Sequence, residues 1–483
     1  MPLKWRSGGV CVDLHRLFYP ESIAVVGASA KLGGGKLPYF HILKYVGYKG
    51  RLYPVNPKYD EMDGITYYHS VDDLPEGIDL AIVTAPANAS LEITKAAVRK
   101  KIKFIHFFTA GFSEGGNGEL ETQLLEEVKK SGTKIVGPNC IGVYCPEGGV
   151  SFGFRKQEAG VASDVAFFGQ SGGVTTNFVR SAVALKIGLN KVISFGNQID
   201  IRAEDYLEYF AGDEKVLVIA GYVEDLKDGR YFLDTLRRAS QTKPVVLLKG
   251  GITDAGSRAA ASHTGAMAGD YLIWASAVSQ HGAIVVDNFE QMMDVVMLCA
   301  SGHRPRGPRT GFLCAGGGMA VTFTDLAELD GLGVPELNRK TQESIAEKIS
   351  DVNTSTTNPV DLGMFGFDFN IVAHCIDALN RDENVDVIIP YFSVDFINTF
   401  QKAQIESGPS IIIEAVRRAS KPVIPIVSLY SVDNIEMEET KLAMFLAFRK
   451  AGLPVYATTQ DCIHAISLYL RWLKKHPPRV GRG

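Results

Sequence analysis

Residues 165–174 have the sequence VAFFGQSGGV, a short apolar run followed by a glycine-rich turn. The run Val165–Phe168 predicts a buried strand, and the glycines after it predict a tight turn into a helix. Similar apolar runs that end in Gly, Asn or Pro alternate with helical patterns along the whole chain. This alternation is typical of parallel sheets covered by helices, so the sequence predicts an α/β fold.

The alternation divides the chain into three regions. Residues 1–148 are expected to form a Rossmann-like domain, residues 149–302 a second α/β domain and residues 310–473 a third, with a basic tail at 474–483. A stretch rich in Pro, Gly and Arg, Ser301–Arg309, separates the second domain from the third. The predicted strands of the first two domains are Ser22–Gly27, Leu52–Asn56, Leu80–Thr84, Phe104–Thr109, Lys134–Gly137, Val165–Phe168, Lys191–Ser194, Val216–Tyr222, Pro244–Lys249 and Ala283–Asp287.

The second and third domains repeat each other in sequence. Arg237–Ser240 precedes a Lys-Pro-Val stretch, and Arg417–Ser420 precedes another, while a strand, a glycine-rich turn and a helix open both domains. The pattern indicates an internal duplication. A feature that only the fold requires should occur in both copies, so a feature present in one copy is a better candidate for chemistry.

The composition is that of a globular protein. The 483 residues include 50 Lys and Arg against 54 Asp and Glu, a net charge of −4, which argues against a dedicated nucleic-acid-binding protein. The apolar runs are far shorter than the roughly 18 residues of a membrane span, and residues 1–18 contain no secretory signal. Seven scattered cysteines fit a reducing compartment. We therefore expect a cytoplasmic protein that binds neither a membrane nor nucleic acid.

A glycine-rich turn also follows the first predicted strand, at residues 27–36, and it could present backbone N–H groups to a phosphate. It is an imperfect dinucleotide-binding motif. Ser29 and Leu32 replace its second and third glycines, and no acidic residue ends the next strand, which disfavours NAD. Three lysines lie in or near the turn: Lys31, Lys36 and Lys58. They suit a ligand with several phosphates, such as the phosphoadenosine end of coenzyme A, although a structural turn with solvated lysines is the alternative.

Ser171 follows the strand at 165–168 and precedes Gly172 and Gly173 at the predicted start of a helix. Its hydroxyl and the unpaired N–H groups of the two glycines predict a small anion-binding cradle. The third domain has Ala315–Gly318 at the equivalent place, without a serine. The glycines are therefore partly architectural, and Ser171 is the informative residue.

His263 lies in a stretch of small residues, GSRAAASHTGA at 256–266, which predicts an uncrowded loop. A histidine in such a loop can reach a phosphoryl donor and act as a nucleophile, although an ordinary surface histidine is the alternative. After the corresponding strand, the third domain continues through Tyr430–Asn434 and has no histidine. The difference favours a chemical role for His263.

Glu224 follows a predicted strand of the second domain, where parallel sheets bind their ligands. A carboxylate there could accept a hydrogen bond from one imidazole nitrogen of His263 and leave the other to attack phosphorus, although a surface carboxylate is the alternative. Four further histidines lie in apolar patterns and receive no role: His106, His281, His374 and His464. The acidic residues and histidines have no metal-ligand spacing, so no protein-held metal is predicted.

Together, these motifs resemble the α subunit of the nucleoside-diphosphate-forming acyl-CoA synthetases, the group that includes ADP-forming acetyl-CoA synthetase within the succinyl-CoA synthetase superfamily. The resemblance covers nearly the full length. It rests on the ordered set Leu17–Ser29, Tyr53–Lys58, Gly137–Cys140, Gln170–Gly173, Ser194–Asp200, Ser262–Gly265 and Asn358–Leu362.

The resemblance implies a Rossmann-like CoA-binding domain followed by two flavodoxin-like domains. It also implies an acid–thiol ligase in which acyl-CoA and phosphate give acyl phosphate and CoA, and the phosphoryl group passes through His263 to ADP. Glu224 would orient His263, and the phosphate-binding residues would be Ser171, Gly172, Gly173, Thr264 and Gly265. The residues matching the CoA-binding stretch are Gly27, Ala28, Ser29, Lys31, Val55, Asn56, Lys58 and Asn139.

The family's nucleotide site belongs to an ATP-grasp module, and only the basic tail follows Leu473. The resemblance therefore implies that ADP or ATP and Mg²⁺ bind a separate β subunit in a hetero-oligomer such as α2β2. Two alternatives stay open at this point. One is a non-catalytic CoA sensor or scaffold of the same fold, and the other, which Ser29 and Lys58 disfavour, is an NAD-dependent oxidoreductase.

Overall fold

The computed structural model describes residues 12–29, 37–62, 64–157, 161, 163–264, 270–350, 352–431 and 433–477, with residues 62 and 261–264 described by their backbone alone. The chain forms two compact units, Met1–Met292 and Met293–Gly483. In the described part of the chain, no helix is long and apolar enough to span a membrane.

The first domain is built on a parallel sheet. Its strands are β1 (Ser22–Val26), β2 (Arg51–Val55), β3 (Glu61–Met62), β4 (Ile65–Thr66), β5 (Leu80–Val83), β6 (Phe104–Phe107) and β7 (Lys134–Val136), and its helices are α1 (His15–Phe18), α2 (Tyr39–Val46), α3 (Ser90–Arg99) and α4 (Gly118–Val128). Five strands pair in the order β2-β1-β5-β6-β7, and β3 and β4 form a separate antiparallel pair. This confirms the predicted Rossmann-like sheet.

The register of this sheet places the candidate ligand residues together. Val26, the last residue of β1, pairs with the last residue of β2 on one side, Val55, and with the last residue of β5 on the other, Val83. Level parallel strands end at the same edge, so the residues that follow them, Gly27, Asn56 and Thr84, lie side by side at the carboxyl edge of the sheet. The three central strands, β1, β5 and β6, are fully buried, as expected for a sheet covered on both faces, whereas the edge strands β2 and β7 are buried only toward their ends.

The second sheet has six strands. They are β8 (Gly142–Tyr144), β9 (Val165–Gly169), β10 (Leu189–Ser194), β11 (Val218–Val223), β12 (Val245–Lys249) and β13 (Ile284–Val286), and the helices are α5 (Gly172–Ala184), α6 (Ala203–Gly212), α7 (Gly229–Ser240), α8 (Asp254–Thr264), α9 (Tyr271–Gln280) and α10 (Phe289–Ala300). The order is β13-β12-β11-β9-β10-β8, and β8 is antiparallel to its neighbour β10. The sequence analysis did not predict β8, which extends the second sheet from a segment assigned to the first domain.

The third domain repeats the second. Its strands are β14 (Thr310–Cys314), β15 (Val360–Asp361), β16 (Val387–Ser393) and β17 (Ile426–Ser428), and its helices are α11 (Gly317–Leu329), α12 (Arg339–Ala346), α13 (Phe369–Arg381), α14 (Val394–Phe400), α15 (Gly408–Arg418), α16 (Ile435–Lys450) and α17 (Thr459–Lys475). All four strands are parallel, in the order β15-β14-β16-β17. Strands β10-β9-β11-β12 of the second sheet follow the same order.

The repetition extends to the core. In the second domain Phe167 of β9 stacks on Phe178 of α5, with ring centroids 4.1 Å apart. In the third, Phe312 of β14 stacks on Phe323 of α11 at 3.7 Å. All four rings are fully buried and hold the first helix of each domain against its first strand. The structure therefore supports the duplication that the sequence indicated.

Candidate functional site

The turn after β1 is shaped by Gly27, whose φ is +86°. A Cβ at this position would lie 2.8 Å from the Thr84 hydroxyl oxygen, so only glycine fits without strain. The amide group of Asn56 donates to the carbonyl of Ala28 (2.8 Å) and accepts from the backbone N–H of Lys58 (3.0 Å). Asn56 thus ties the turn after β1 to the turn after β2.

Most of the predicted CoA-binding residues therefore meet at one edge of the first sheet. Ser29 belongs to the same edge, and its carbonyl accepts from the Nε2–H of His41 (3.2 Å). Lys31 lies outside the described residues. The group that the structure brings together consists of Gly27, Ala28, Ser29, Val55, Asn56 and Lys58.

Asn139 follows β7 at the same edge, in a left-handed conformation with φ of +56°. The two residues after it are fixed by side chains from the first domain. The carbonyl of Cys140 accepts from His106 Nε2–H (2.9 Å), and that of Ile141 accepts from the Tyr39 hydroxyl (2.8 Å). Burial lowers the pKa of His106 to about 4, so this histidine is neutral and structural at physiological pH.

The Asn139 loop packs directly on the end of β10 in the second domain. A Cβ on Gly196 would lie 2.2 Å from the Pro138 carbonyl oxygen, which explains the glycine at this position. The backbone N–H of Asn197 donates to the same carbonyl (3.0 Å). The two candidate regions, one at the carboxyl edge of each sheet, are therefore in contact within the first compact unit.

Ser171 is the N-cap of α5, and its hydroxyl accepts from the backbone N–H of Val174 (3.4 Å). Gly172 and Gly173 form the first turn, as predicted, with N–H groups that have no partner within the helix. The strand order of the second sheet reverses between β9 and β11. Open α/β sheets bind ligands at such a topological switch point, and α5 begins there.

Glu224 lies beside this helix start, directly after β11 and only 6% exposed. Its backbone N–H donates to Gln170 Oε1 (2.8 Å), and its carbonyl accepts from Lys249 Nζ (2.7 Å). Its carboxylate accepts from the Tyr222 hydroxyl (3.1 Å). Three separate contacts therefore hold one acidic residue at the switch point.

Lys249 was not singled out from the sequence. It ends β12, and besides Glu224 it donates to the carbonyl of Gly250 (2.5 Å). Burial lowers its pKa. A Cβ on Gly250 would lie 2.3 Å from the Tyr222 hydroxyl. Position 250 must therefore lack a side chain for Tyr222, Glu224 and Lys249 to meet.

His263 is the penultimate residue of α8, and this corrects the predicted loop for residues 256–264. The three alanines at 259–261 explain the helix, since alanine has the highest helix propensity. The helix contacts Ser113–Gly115 of the first domain. The side chains of His263 and Thr264, and the whole of Gly265, lie outside the described residues, so the contact between Glu224 and His263 stays a prediction.

Two family models match the chain. A CoA binding domain matches residues 21–146, and a succinyl-CoA ligase like flavodoxin domain matches residues 162–299. The α subunit of ADP-forming acetate–CoA ligase II of Pyrococcus furiosus is 32% identical over 456 residues, which cover 93% of this chain and 95% of the relative. The chain belongs to the family of ADP-forming acetate–CoA ligases. Within this family it corresponds to the α subunit.

Other members of the ligase family have a longer chain. The ADP-forming acetate–CoA ligase of Methanocaldococcus jannaschii is 34% identical over 350 residues, which cover 72% of this chain and 49% of the relative. This chain therefore spans about half the length of that ligase. Membership of a family of acid–thiol ligases favours the enzyme over the non-catalytic sensor, and coenzyme A over NAD.

A solved structure agrees with the assignment. The dinucleotide forming acetyl-coenzyme A synthetase 1 of Ca. Korarchaeum cryptofilum, solved with phosphate and ADP, is 28% identical, with a TM-score of 0.83. The match covers 96% of this ligase chain and 97% of the other. The α/β fold with its CoA-binding and flavodoxin-like domains is thereby confirmed.

Proposed function

We propose that this chain is the α subunit of an ADP-forming acyl-CoA synthetase and interconverts acyl-CoA and phosphate with acyl phosphate and CoA. His263 then accepts the phosphoryl group for transfer to ADP. In this assignment residues 1–148 bind CoA, residues 149–302 transfer the phosphoryl group and residues 310–473 form the second flavodoxin-like domain. The observation that supports this proposal best is that three hydrogen bonds hold Glu224 beside the start of α5.

The CoA site is assigned to the carboxyl edge of the first sheet. Gly27 and Ala28 have no bulky side chains, so the cofactor can approach the backbone of the turn after β1 closely. Lys58, together with Lys31, supplies positive charge to its phosphates. Asn139, in the loop that packs on β10, places the thiol end toward the second domain. The remaining residues of this proposed site are Ser29, Val55 and Asn56.

Phosphoryl transfer is assigned to the switch point of the second sheet. The lone pair of one imidazole nitrogen of His263 attacks the phosphorus of the acyl phosphate, the P–O bond to the acyl group breaks and a carboxylate leaves. Glu224 accepts the hydrogen bond of the other nitrogen, which fixes the tautomer and stabilises the charge that develops on the ring.

The phosphoryl oxygens need donors that do not reorganise during transfer. The N–H groups of Gly172 and Gly173, the hydroxyl of Ser171 and the partial positive charge of the α5 N-terminus supply them. Thr264 and Gly265, which follow the histidine, complete the proposed phosphate-binding set. A histidine carrier divides one long transfer into two short in-line steps.

The second step requires a nucleotide site. We assign ADP or ATP and Mg²⁺ to a separate ATP-grasp β subunit, in a hetero-oligomer such as α2β2. Two observations support a partner: the similarity to proteins named α subunits, and the greater length of the M. jannaschii relative.

The test uses the purified chain with radiolabelled phosphate and a panel of acyl-CoAs, with His263→Asn as control. Wild type should release free CoA thiol and gain a label that survives base but not acid, whereas the variant should gain no label. If neither thiol nor label appears, with a cognate β subunit present and CoA binding measurable, the catalytic proposal is wrong. The panel also identifies the acyl group.

A further inference from the structure

A second carboxylate lies directly beside Glu224 and makes a different set of contacts. Asp225 Oδ1 accepts from the side-chain amides of both Gln170 (2.6 Å) and Gln198 (2.7 Å). Its other oxygen accepts from Lys227 Nζ (2.7 Å). The Asp225 side chain is only 9% exposed. A nearly buried carboxylate therefore has donors on both oxygens.

These contacts decide which way the two amides face. Because the Gln170 NH2 group points to Asp225, its carbonyl oxygen points to the backbone N–H groups of Glu224 (2.8 Å) and Asp225 (3.0 Å). Because the Gln198 NH2 group points to Asp225, its oxygen faces the N–H of Ala203 at the start of α6 (3.4 Å). Both glutamines are almost completely buried, so neither amide can exchange these partners for water.

Gln198 also connects this cluster to the CoA side of the site. It has a left-handed backbone with φ of +52° and follows Gly196 and Asn197, which pack on the Asn139 loop. The Asn197 amide donates to two carboxylates of the first domain, Glu114 (2.6 Å) and Glu121 (2.7 Å). A continuous series of contacts therefore runs from the first domain to the backbone of Glu224.

We propose that Asp225, acting through Gln170 and Gln198, is a positioning residue that keeps Glu224 aligned with the Asn139 loop during phosphoryl transfer. This inference rests on the proposed function. Asp225 touches neither the acyl phosphate nor CoA, and it acts by fixing the orientation of two buried amides. Misplacement of a reacting group by about 1 Å can lower a rate by about a hundredfold, so a small shift of Glu224 is enough to be measured.

The first variant is Asp225→Asn. Its NH2 group confronts either a glutamine NH2 or the Lys227 ammonium, so the cluster loses at least one acceptor. We expect the rate of label incorporation into His263, measured by rapid quench with saturating acyl-CoA, to fall about tenfold to a hundredfold. CoA affinity should stay close to that of wild type, and the variant should stay folded at the assay temperature although its unfolding midpoint falls. Asp234→Asn, which removes an exposed carboxylate of α7, is the matched control.

The second variant reverses the polarity of one hydrogen bond. In Gln198→Glu alone, two carboxylates face each other and the rate should fall. In the double variant Gln198→Glu with Asp225→Asn, the new amide donates to the new carboxylate, although its NH2 group then also faces that of Gln170. The recovery should therefore be partial, at least threefold above the Gln198→Glu rate. If Asp225 supported only general stability, the rate would follow the unfolding midpoint across the three variants, whereas a positioning role predicts rates that change at temperatures where all of them are folded.

The outcomes separate the inference from the function on which it rests. If wild type gains no label, the proposed function fails. If wild type is labelled and Asp225→Asn is labelled equally fast, the positioning role is wrong. If the variant loses CoA affinity in parallel with its rate, or the double variant shows no recovery, Asp225 supports the fold rather than the alignment of Glu224.

Discussion

Four strands of the second domain are in the same order as the four strands of the third, and both domains have a stacked phenylalanine pair. The carboxylates that follow β11 and β16, Glu224 and Asp395, nevertheless make different contacts. In the third domain, Asp395 follows the third strand and accepts from the backbone N–H groups of Tyr430 and Ser431, both at 2.9 Å. Burial would raise the pKa of Asp395, but these hydrogen bonds lower it. The Asp395 carboxylate therefore holds the loop at Tyr430 and Ser431 in place. Glu224 is instead held through its backbone N–H and carbonyl, and its carboxylate accepts from the Tyr222 hydroxyl of the same strand end.

The lysines extend the comparison. Lys243 donates to the carbonyls of Phe210 (3.1 Å) and Asp213 (2.5 Å), and Lys421 donates to those of Leu379 (3.1 Å) and Asp382. These two lysines make equivalent hydrogen bonds to backbone carbonyls in the two copies. Lys249 lies six residues after Lys243, and Val427 occupies the corresponding place after Lys421. Lys249 therefore belongs with the features that one copy alone possesses.

The largest difference is expected between the two carboxylates, Glu224 and Asp395. Glu224→Gln keeps the size and the backbone contacts but removes the charge that we propose orients His263, so the rate of label incorporation should fall about a hundredfold or more. Asp395→Asn should leave that rate within about twofold of wild type, because Asp395 binds a loop. Rapid-quench measurements of both variants test this. Equal losses would contradict the division of roles between the two copies.

A smaller effect is expected for Lys249→Met, which removes the donor to the Glu224 carbonyl and a nearby positive charge. We expect label incorporation to slow by about tenfold while CoA affinity is kept. Lys243→Met serves as the comparison, because its lysine contacts carbonyls of α6 and of the residue after it. Comparable losses of rate in both variants would show that Lys249 is structural.

These comparisons also show what the sequence can and cannot predict. The alternation of strands, the helix start at Ser171 and the position of Glu224 follow from local patterns and were correct. Strand β8 was missed because its partner lies about fifty residues away and is antiparallel. Gln170 and Gln198 lie in the motifs that carry the resemblance, but neither they nor Asp225 receive a role from the sequence, because buried side-chain contacts leave no periodic signal. Lys249 does have a signal in the sequence, which is the absence of a lysine at the corresponding place in the third domain.

The smallest effect is on stability and should be shared by the two copies. Burial lowers the pKa of Lys243 to about 8 and also lowers that of Lys421. Between about pH 8 and pH 10.4 the unfolded chain binds a proton at Lys243 that the folded chain does not, so wild-type stability rises with pH through this lysine. The lowered pKa of Lys421 acts in the same direction. Neither Lys243→Met nor Lys421→Met has this gain.

Urea unfolding at pH 7.5 and pH 9.5 measures this gain in the free energy of unfolding. Both variants should be less stable than wild type, by about 1–2 kcal/mol at the lower pH, and the deficit should grow at the higher pH. Lys130→Met, at an exposed position of the first domain, should show no such growth. A deficit that is independent of pH in both variants would contradict the assigned pKa shifts.

The most direct test of the account is to map the phosphorylated residue. Wild-type protein, incubated with acyl-CoA and phosphate, is digested at alkaline pH and its peptides are sequenced by mass spectrometry. We predict one acid-labile phosphate, on His263 of the second domain, and none on His374 or His464 of the third. Phosphate on a histidine of the third domain, or on no histidine while CoA thiol is released, would contradict it.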